Sequence, residues 1–163
     1  MTTSSGSAVV TLPADTQILV TREFDAPRRL VWRAYTEPEL IKRWWAGLRG
    51  NVTSVEVDLR VGGRWRYVMQ ANGGFEVAFH GEYREIAAPE RLVNTEAYEG
   101  IPEPDANAAL VTMTLVEKEE RTFMEVLIET RDKDGRDAII NSGMESGMQE
   151  SYDALEQVAA TLK

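Results

Sequence analysis

The sequence predicts an α+β domain in which a curved antiparallel sheet of about seven strands wraps one long C-terminal helix, with two short helices after the first strand. Three observations carry this prediction. Across residues 52–130 apolar positions recur with period two, the mark of strands that have one dry face and one wet face. A sustained helical period appears once, over residues 137–162. Strands that follow one another without intervening helices pair as antiparallel hairpins, and a single amphipathic helix then covers the apolar side of the sheet.

Taken in order, residues 1–15 lack a strong pattern and are expected to form a flexible tail ahead of a domain spanning residues 16–163. "QILVTREF", Gln17 to Phe24, is rich in strand formers and stops at "DAP", where Pro27 suits a first helical turn. Leu30, Val31, Ala34 and Tyr35 follow at helical spacing. In "TEPE", Thr36 and Glu39 have the spacing of a capping box, with Pro38 in the tolerated first turn, so a second short helix is expected. Leu40 and Trp44 lie on one stripe of it, and Ile41 and Trp45 on the next. Together they make one wide apolar face.

After Gly47 the period changes to two. "VTSVEVDL" sets Val55, Val57 and Leu59 against Ser54, Glu56 and Asp58, and "RVGG" supplies a turn. "RWRYVM" places Trp65, Tyr67 and Met69 on one face, and "NGG" at residues 72–74 is a hairpin signal. In "FEVAFHGEYREI" the dry face takes Phe75, Val77, Phe79, Gly81 and Tyr83; the wet face takes Glu76, His80, Glu82 and Arg84. "APERLVNTEA" reads as a turn and strand, "YEGIPEPDANA" as a mobile loop, and "LVTMTLV" with "RTFMEVLIET" as a last hairpin closed by "EKEE". The C-terminal helix carries Ile140, Met144, Gly147, Met148, Ser151, Tyr152, Leu155, Val158 and Leu162 at helical spacing.

Composition narrows the function. The 163 residues fit one domain with a sizeable core. Eighteen Lys and Arg against 27 Asp and Glu give a formal net charge of −9, which repels nucleic acid and anionic lipid. With no cysteine and one histidine, thiolate chemistry and paired-imidazole sites are excluded, and no metal or cofactor is expected. No stretch is apolar enough for membrane insertion, and the chain reads as cytoplasmic, a monomer or weak homodimer. His80 falls on the wet face, "GMESG" has its serine one place late for a nucleophile elbow, and "RDKDGRD" reads as a charged turn leading into a helix. No catalytic residue is assigned.

The stretches "FDAP…VWRAYTEPELIKRWW", "VDLRVGGRWRYVM" and "GEYREIAAPERLV", a hydroxyl-rich hairpin and a C-terminal helix with "SGM" together resemble the activator of heat-shock-protein ATPase homologue family. That family is a branch of the START-like (SRPBCC) helix-grip superfamily, which includes aromatic polyketide cyclases and lipid-transfer domains. The resemblance covers residues 17–162. It implies a helix-grip fold with an apolar cavity between sheet and C-terminal helix that holds a small hydrophobic or amphipathic molecule. It leaves two alternatives, a polyketide cyclase-like enzyme and a co-chaperone that stimulates a heat-shock-protein ATPase. The eukaryotic activators carry an additional N-terminal domain that the expected tail does not supply. Where relatives often have Gly followed by Trp in the last helix, this chain has Gly147 and Met148.

A ligand wall should be mostly apolar, with a few polar groups to orient the guest. The candidates are Trp44 and Trp45 from the second helix; Trp65, Tyr67, Met69, Phe75, Phe79 and Tyr83 from the sheet; Met113 and Met124 from the last hairpin; and Met144, Gly147, Met148 and Tyr152 from the C-terminal helix. A regular aromatic and methionine stripe also serves ordinary packing. Gly143 and Gly147 share a helical face, where the vacancy either makes room for a ligand or admits a bulky strand residue such as Trp65. Trp44 and Trp45 are expected to divide their duties, one in the core and one at the cavity lip.

Overall fold

The computed structural model describes residues 7–163. Its elements are β1 (Val9–Thr11), β2 (Gln17–Phe24), α1 (Arg28–Thr36), α2 (Pro38–Ile41), β3 (Gly50–Val57), β4 (Arg64–Ala71), β5 (Glu76–Ala87), β6 (Arg91–Tyr98), β7 (Ala109–Lys118), β8 (Arg121–Glu129), α3 (Lys133–Asn141) and α4 (Met144–Thr161). The strands form one sheet in the order β1-β2-β8-β7-β6-β5-β4-β3, antiparallel at every pairing. This is the helix-grip arrangement the sequence predicts. The meander runs β3 to β8, and β2 then closes it by pairing with β8 from Gln17↔Glu129 to Phe24↔Thr122.

Two register shifts, between Val52 and Ser54 and between Tyr83 and Glu85, add a residue to one strand of a pair and bend the sheet. The second also switches parity: Tyr83 faces the inside opposite Asn94, yet three residues later Ile86 faces the same way opposite Leu92. On the dry side, Ile18, Val20 and Phe24 of β2, Val111, Met113 and Leu115 of β7, and Met124, Val126 and Ile128 of β8 meet Leu30, Val31 and Ala34 of α1 and Tyr152, Leu155, Val158 and Ala159 of α4. Arg22 also points inward. Its guanidinium is held by Asp153 at 2.9 Å and Glu156 at 3.6 Å and lies 5.0 Å from the Phe24 ring centroid, so a buried charge is compensated from α4.

Several local expectations are corrected. Residues 9–11, assigned to a tail, form an eighth strand, and Ala8 is clasped by Gln149 of α4: Ala8 N–H donates to Oε1 at 2.9 Å and Nε2 donates to the Ala8 carbonyl at 2.8 Å. Residues 1–6 lie outside the described part. Thr36 does not cap α2; its hydroxyl donates back to the Trp32 carbonyl at 2.7 Å inside α1. The C-terminal helical period is divided into α3 and α4 at Gly143, whose φ of 83° is left-handed and costs glycine little. Asp132 caps α3 by accepting from Gly135 N–H at 2.8 Å, as the charged turn suggested. Leu59 lies beyond β3 and is exposed.

Gly81 is the tightest point of the sheet interior. A Cβ there would stand 1.9 Å from the Thr95 carbonyl oxygen and 2.6 Å from Trp65 Nε1. Trp65, its neighbour on β4, lays its indole across this gap and donates to Thr95 O at 3.2 Å. Because the obstructing atoms include backbone, Gly81→Ala should destabilise the fold toward the upper end of roughly 1–3 kcal/mol, read as a lowered midpoint in urea unfolding. An unchanged midpoint would contradict this packing.

Candidate functional site

The inner face divides into a dry part and a partly accessible part. On β2, β7 and β8 the inward residues are buried. On β3 to β5 several keep accessible surface: Val55, Val57, Tyr67, Met69, Val77 and Phe79 are half-buried, as are Trp45, which packs on Tyr67 and Phe79, and Met144 and Met148 of α4. The first half of α4, residues 144–151, contains no fully buried side chain, whereas its second half holds four. α4 therefore seals one side of the sheet and stands over the other less closely.

Aromatic rings organise the accessible part. Trp45 meets Tyr67 edge-on at 5.4 Å between centroids and Phe79 at 5.8 Å; Tyr67 lies 4.7 Å from Trp65, and Phe79 5.1 Å from Tyr98. Trp44 goes elsewhere. It is buried, its Nε1 donates to the Ala34 carbonyl at 2.7 Å, and its ring stacks on Tyr35 at 5.7 Å. The adjacent tryptophans thus serve two environments, one bonded to α1 and the other set against β4 and β5.

A residue the sequence reading passed over sits in this region. Glu96 on β6 pairs with buried Ala109 of β7, which puts its side chain on the inner face, and the β5–β6 register puts Gly81 opposite it. It is half-buried and has no hydrogen-bonding or charged partner among the described residues; desolvation alone raises its carboxyl to about 7. Its charge acts on the hydroxyls of Tyr35, Tyr67 and Tyr152, all of which burial pushes above the usual phenol range. Tyr83, whose hydroxyl interacts with that of Tyr67, is pushed up to about 12 by burial. Four phenols from α1, β4, β5 and α4 thus share one low-dielectric region with one carboxyl. A glutamate in an alternating strand is ordinarily assigned to the wet face. The available signal was parity: Leu92, Asn94 and Glu96 share a side, and Leu92 belongs to the core.

The outer face supplies the contrast. Glu99, just past β6, accepts two hydrogen bonds from Arg66, both at 2.9 Å, and stands 2.8 Å from His80 Nδ1; these partners lower it to about 2, Arg66 most. His80 Nε2 lies 2.5 Å from Asp105 Oδ1, and Asp105 and then Glu99 raise the imidazole. The lone histidine thus ties the loop over residues 99–108 to the outside of the sheet, away from Glu96.

Of the other predicted site residues, Trp65, Tyr83 and Tyr152 are buried with the aromatic cluster, Tyr152 edge-on to Phe24 at 6.1 Å. Met113 and Met124 belong to the dry core of β7 and β8. Phe75 precedes β5, in the turn, and is 62% exposed, so it is no part of an inner wall. Gly147 does not look into the sheet. A Cβ there would meet the Arg49 guanidinium, 3.2 Å from Nε, and Arg49 donates to Ser146 Oγ at 2.6 Å. The room for Trp65 comes from Gly81 instead. The 45–49 segment crosses α4 at this point, with Ser151 Oγ donating to the Trp45 carbonyl at 2.8 Å.

Two open hollows lie outside this region. One of about 210 Å³ is lined by Lys42, Arg43, Trp44 and Asn51 near the start of β3; another of about 320 Å³ sits on the outer sheet face by Leu19, Thr112, Glu125 and Leu127. No helix among the described residues is long and apolar enough to cross a membrane.

Residues 25–160 match the family described as Activator of Hsp90 ATPase homolog 1-like protein. Among solved structures, the chain is similar to a Rhodobacter sphaeroides protein with a TM-score of 0.87 and 24% identity, over 95% of this chain and 99% of that one. It is similar to a Nitrosomonas europaea protein with a TM-score of 0.81 and 25% identity (92% and 97% covered), and to a Chromobacterium violaceum protein at 0.77 and 26% (90% and 98% covered). No curated protein matches the chain.

The Glu96 carboxyl gives a test of the interior. Its folded value lies above the ordinary 4.5, so the native state holds a proton that the unfolded state has released between about pH 4.5 and 7. Native stability should therefore fall across that window relative to Glu96→Gln, by an amount on the order of 1–3 kcal/mol, with solvent access reducing it. Urea unfolding of both proteins from acid to mildly alkaline pH measures the difference. Parallel stability curves would place the carboxyl in water.

Proposed function

The chain belongs to the family of Activator of Hsp90 ATPase homolog 1-like proteins, and from that premise we propose that it binds one small hydrophobic or amphipathic molecule against the inner face of β4 to β6, beneath the first half of α4. The observation that carries the reading is the pairing of half-buried aromatic side chains, Trp45, Tyr67 and Phe79, with a single unpartnered carboxyl at Glu96 on the same inner face. Apolar walls with few orienting polar groups are what a small-molecule site requires. The guest would fill the loosely covered part of the interior, with Trp45 and the 45–49 segment as its rim. Binding needs no catalytic group, and the tyrosine hydroxyls and Glu96 supply the polar contacts that orient a guest.

Trp44 and Trp45 provide the test. Titration with Nile red, a neutral apolar dye, should give saturable emission enhancement and quench tryptophan fluorescence. Trp45→Ala should weaken dye binding by about tenfold at modest cost in stability, because it removes wall surface. Trp44→Ala should cost roughly 3–5 kcal/mol and leave the affinity of the remaining folded protein near wild type. If neither wild type nor variants take up the dye, yet the chain stimulates an Hsp90 ATPase, the family's co-chaperone reading replaces this one.

A further inference from the structure

The Glu96 region carries chemical information about the guest beyond its being apolar. The carboxyl acts on the hydroxyls of Tyr35 of α1, Tyr67 of β4 and Tyr152 of α4, and Tyr83 of β5 interacts with Tyr67 beside it. All are phenols and none is a cation. The buried arginine of the inner face, Arg22, is committed to Asp153 and Glu156. The site thus has an anionic acceptor without a counter-charge.

Three independent features bear on which guest would complete it. An uncompensated inner carboxyl repels a second anion and attracts a cation. Aromatic faces, here those of Trp45, Tyr67 and Phe79, carry partial negative charge and attract ammonium groups while their carbon surface packs an apolar body. The net charge of −9 favours the approach of cations over anions.

Resting on the ligand-binding reading above, we propose that the guest is an amphipathic amine: an apolar, ring-sized body bearing one ammonium group that seats against the Glu96 carboxylate. In the empty protein below about pH 7 the carboxyl keeps its proton. When the ammonium docks, the O–H bond of Glu96 breaks, the proton leaves to solvent, and the carboxylate accepts hydrogen bonds from the ammonium. Binding is then coupled to release of up to one proton. Affinity rises with pH through neutrality and levels off while the amine remains protonated.

Three probes of one shape test this by titration calorimetry: 1-naphthylmethylamine as cation, 1-naphthylmethanol as neutral molecule and 1-naphthoate as anion. At about pH 8 the wild type should bind the amine at least about tenfold more tightly than the alcohol, and the naphthoate least, with the preference for amine shrinking at about pH 6. Titration near pH 6.5 in buffers of different ionisation heat should report proton release with the amine and none with the alcohol, a readout that needs no variant. Glu96→Gln should lose the preference for amine over alcohol and the proton release that accompanies the amine. Alcohol bound as tightly as amine by the wild type, or an amine preference that survives in Glu96→Gln, overturns the proposal and leaves a neutral-ligand site. If none of the three probes binds, the ligand-binding reading falls and this inference with it.

Discussion

One helix cannot cover the concave side of an eight-stranded sheet. Strands are spaced about 4.8 Å apart, so eight of them span roughly 34 Å, whereas a helix with its side chains is about 10–12 Å across. Curvature from the two register shifts narrows the gap, and α1 with the second half of α4 fills the β2, β8 and β7 side with Leu30, Val31, Leu155 and Val158. The β3 to β5 side is covered less closely, by α2, the 45–49 segment and the first half of α4. The partial burial of Tyr67, Phe79 and Trp45 follows from that shortfall, and so does the possibility of a guest.

The same constraint separates two glutamates only three residues apart. Glu99, on the outside, finds Arg66 and His80 and is held near 2; Glu96, on the inside, finds only phenols and desolvation and rises to about 7. Strand alternation decides which environment each side chain meets, and partners decide its protonation. The outer carboxylate ties a loop in place. The inner one keeps its hydrogen-bonding capacity unspent.

Most of the architecture was legible because period-two alternation reports which face is dry. The strands from residue 17 onward and the hairpin turns follow from it, and the two short helices from helical spacing after Pro27 and Pro38. β1 was not legible: three residues, "VVT", at a sheet edge are too few to show a period, and their partner is distant in sequence. The break at Gly143 was hidden because the apolar spacing of α3 and α4 continues across it with little change of phase. At the site, the aromatic residues of β4 and β5 were legible as inward by parity. Phe75 was misplaced because its strand starts one residue later, and Gly147 because its helical face meets Arg49 rather than the sheet. Glu96 is not legible from "APERLVNTEA" read as a turn and strand without faces, because its inward position is set by register with Ala109 of a later strand.

The closure of the sheet by β2 and β8 bears on the order in which the molecule can be made. Gln17 pairs with Glu129, 112 residues further along, and Ala8 is clasped by Gln149, 141 residues away. During synthesis the meander from β3 to β7 can zip strand by strand as it emerges. β2, which emerges before the meander, must wait with its apolar face uncovered until β8, more than a hundred residues later, has followed. Pairing across such separations is slow because the loop entropy is lost before the contacts form. The nascent chain's greatest exposure to aggregation or to chaperone capture therefore falls in the interval between the emergence of β2 and that of β8.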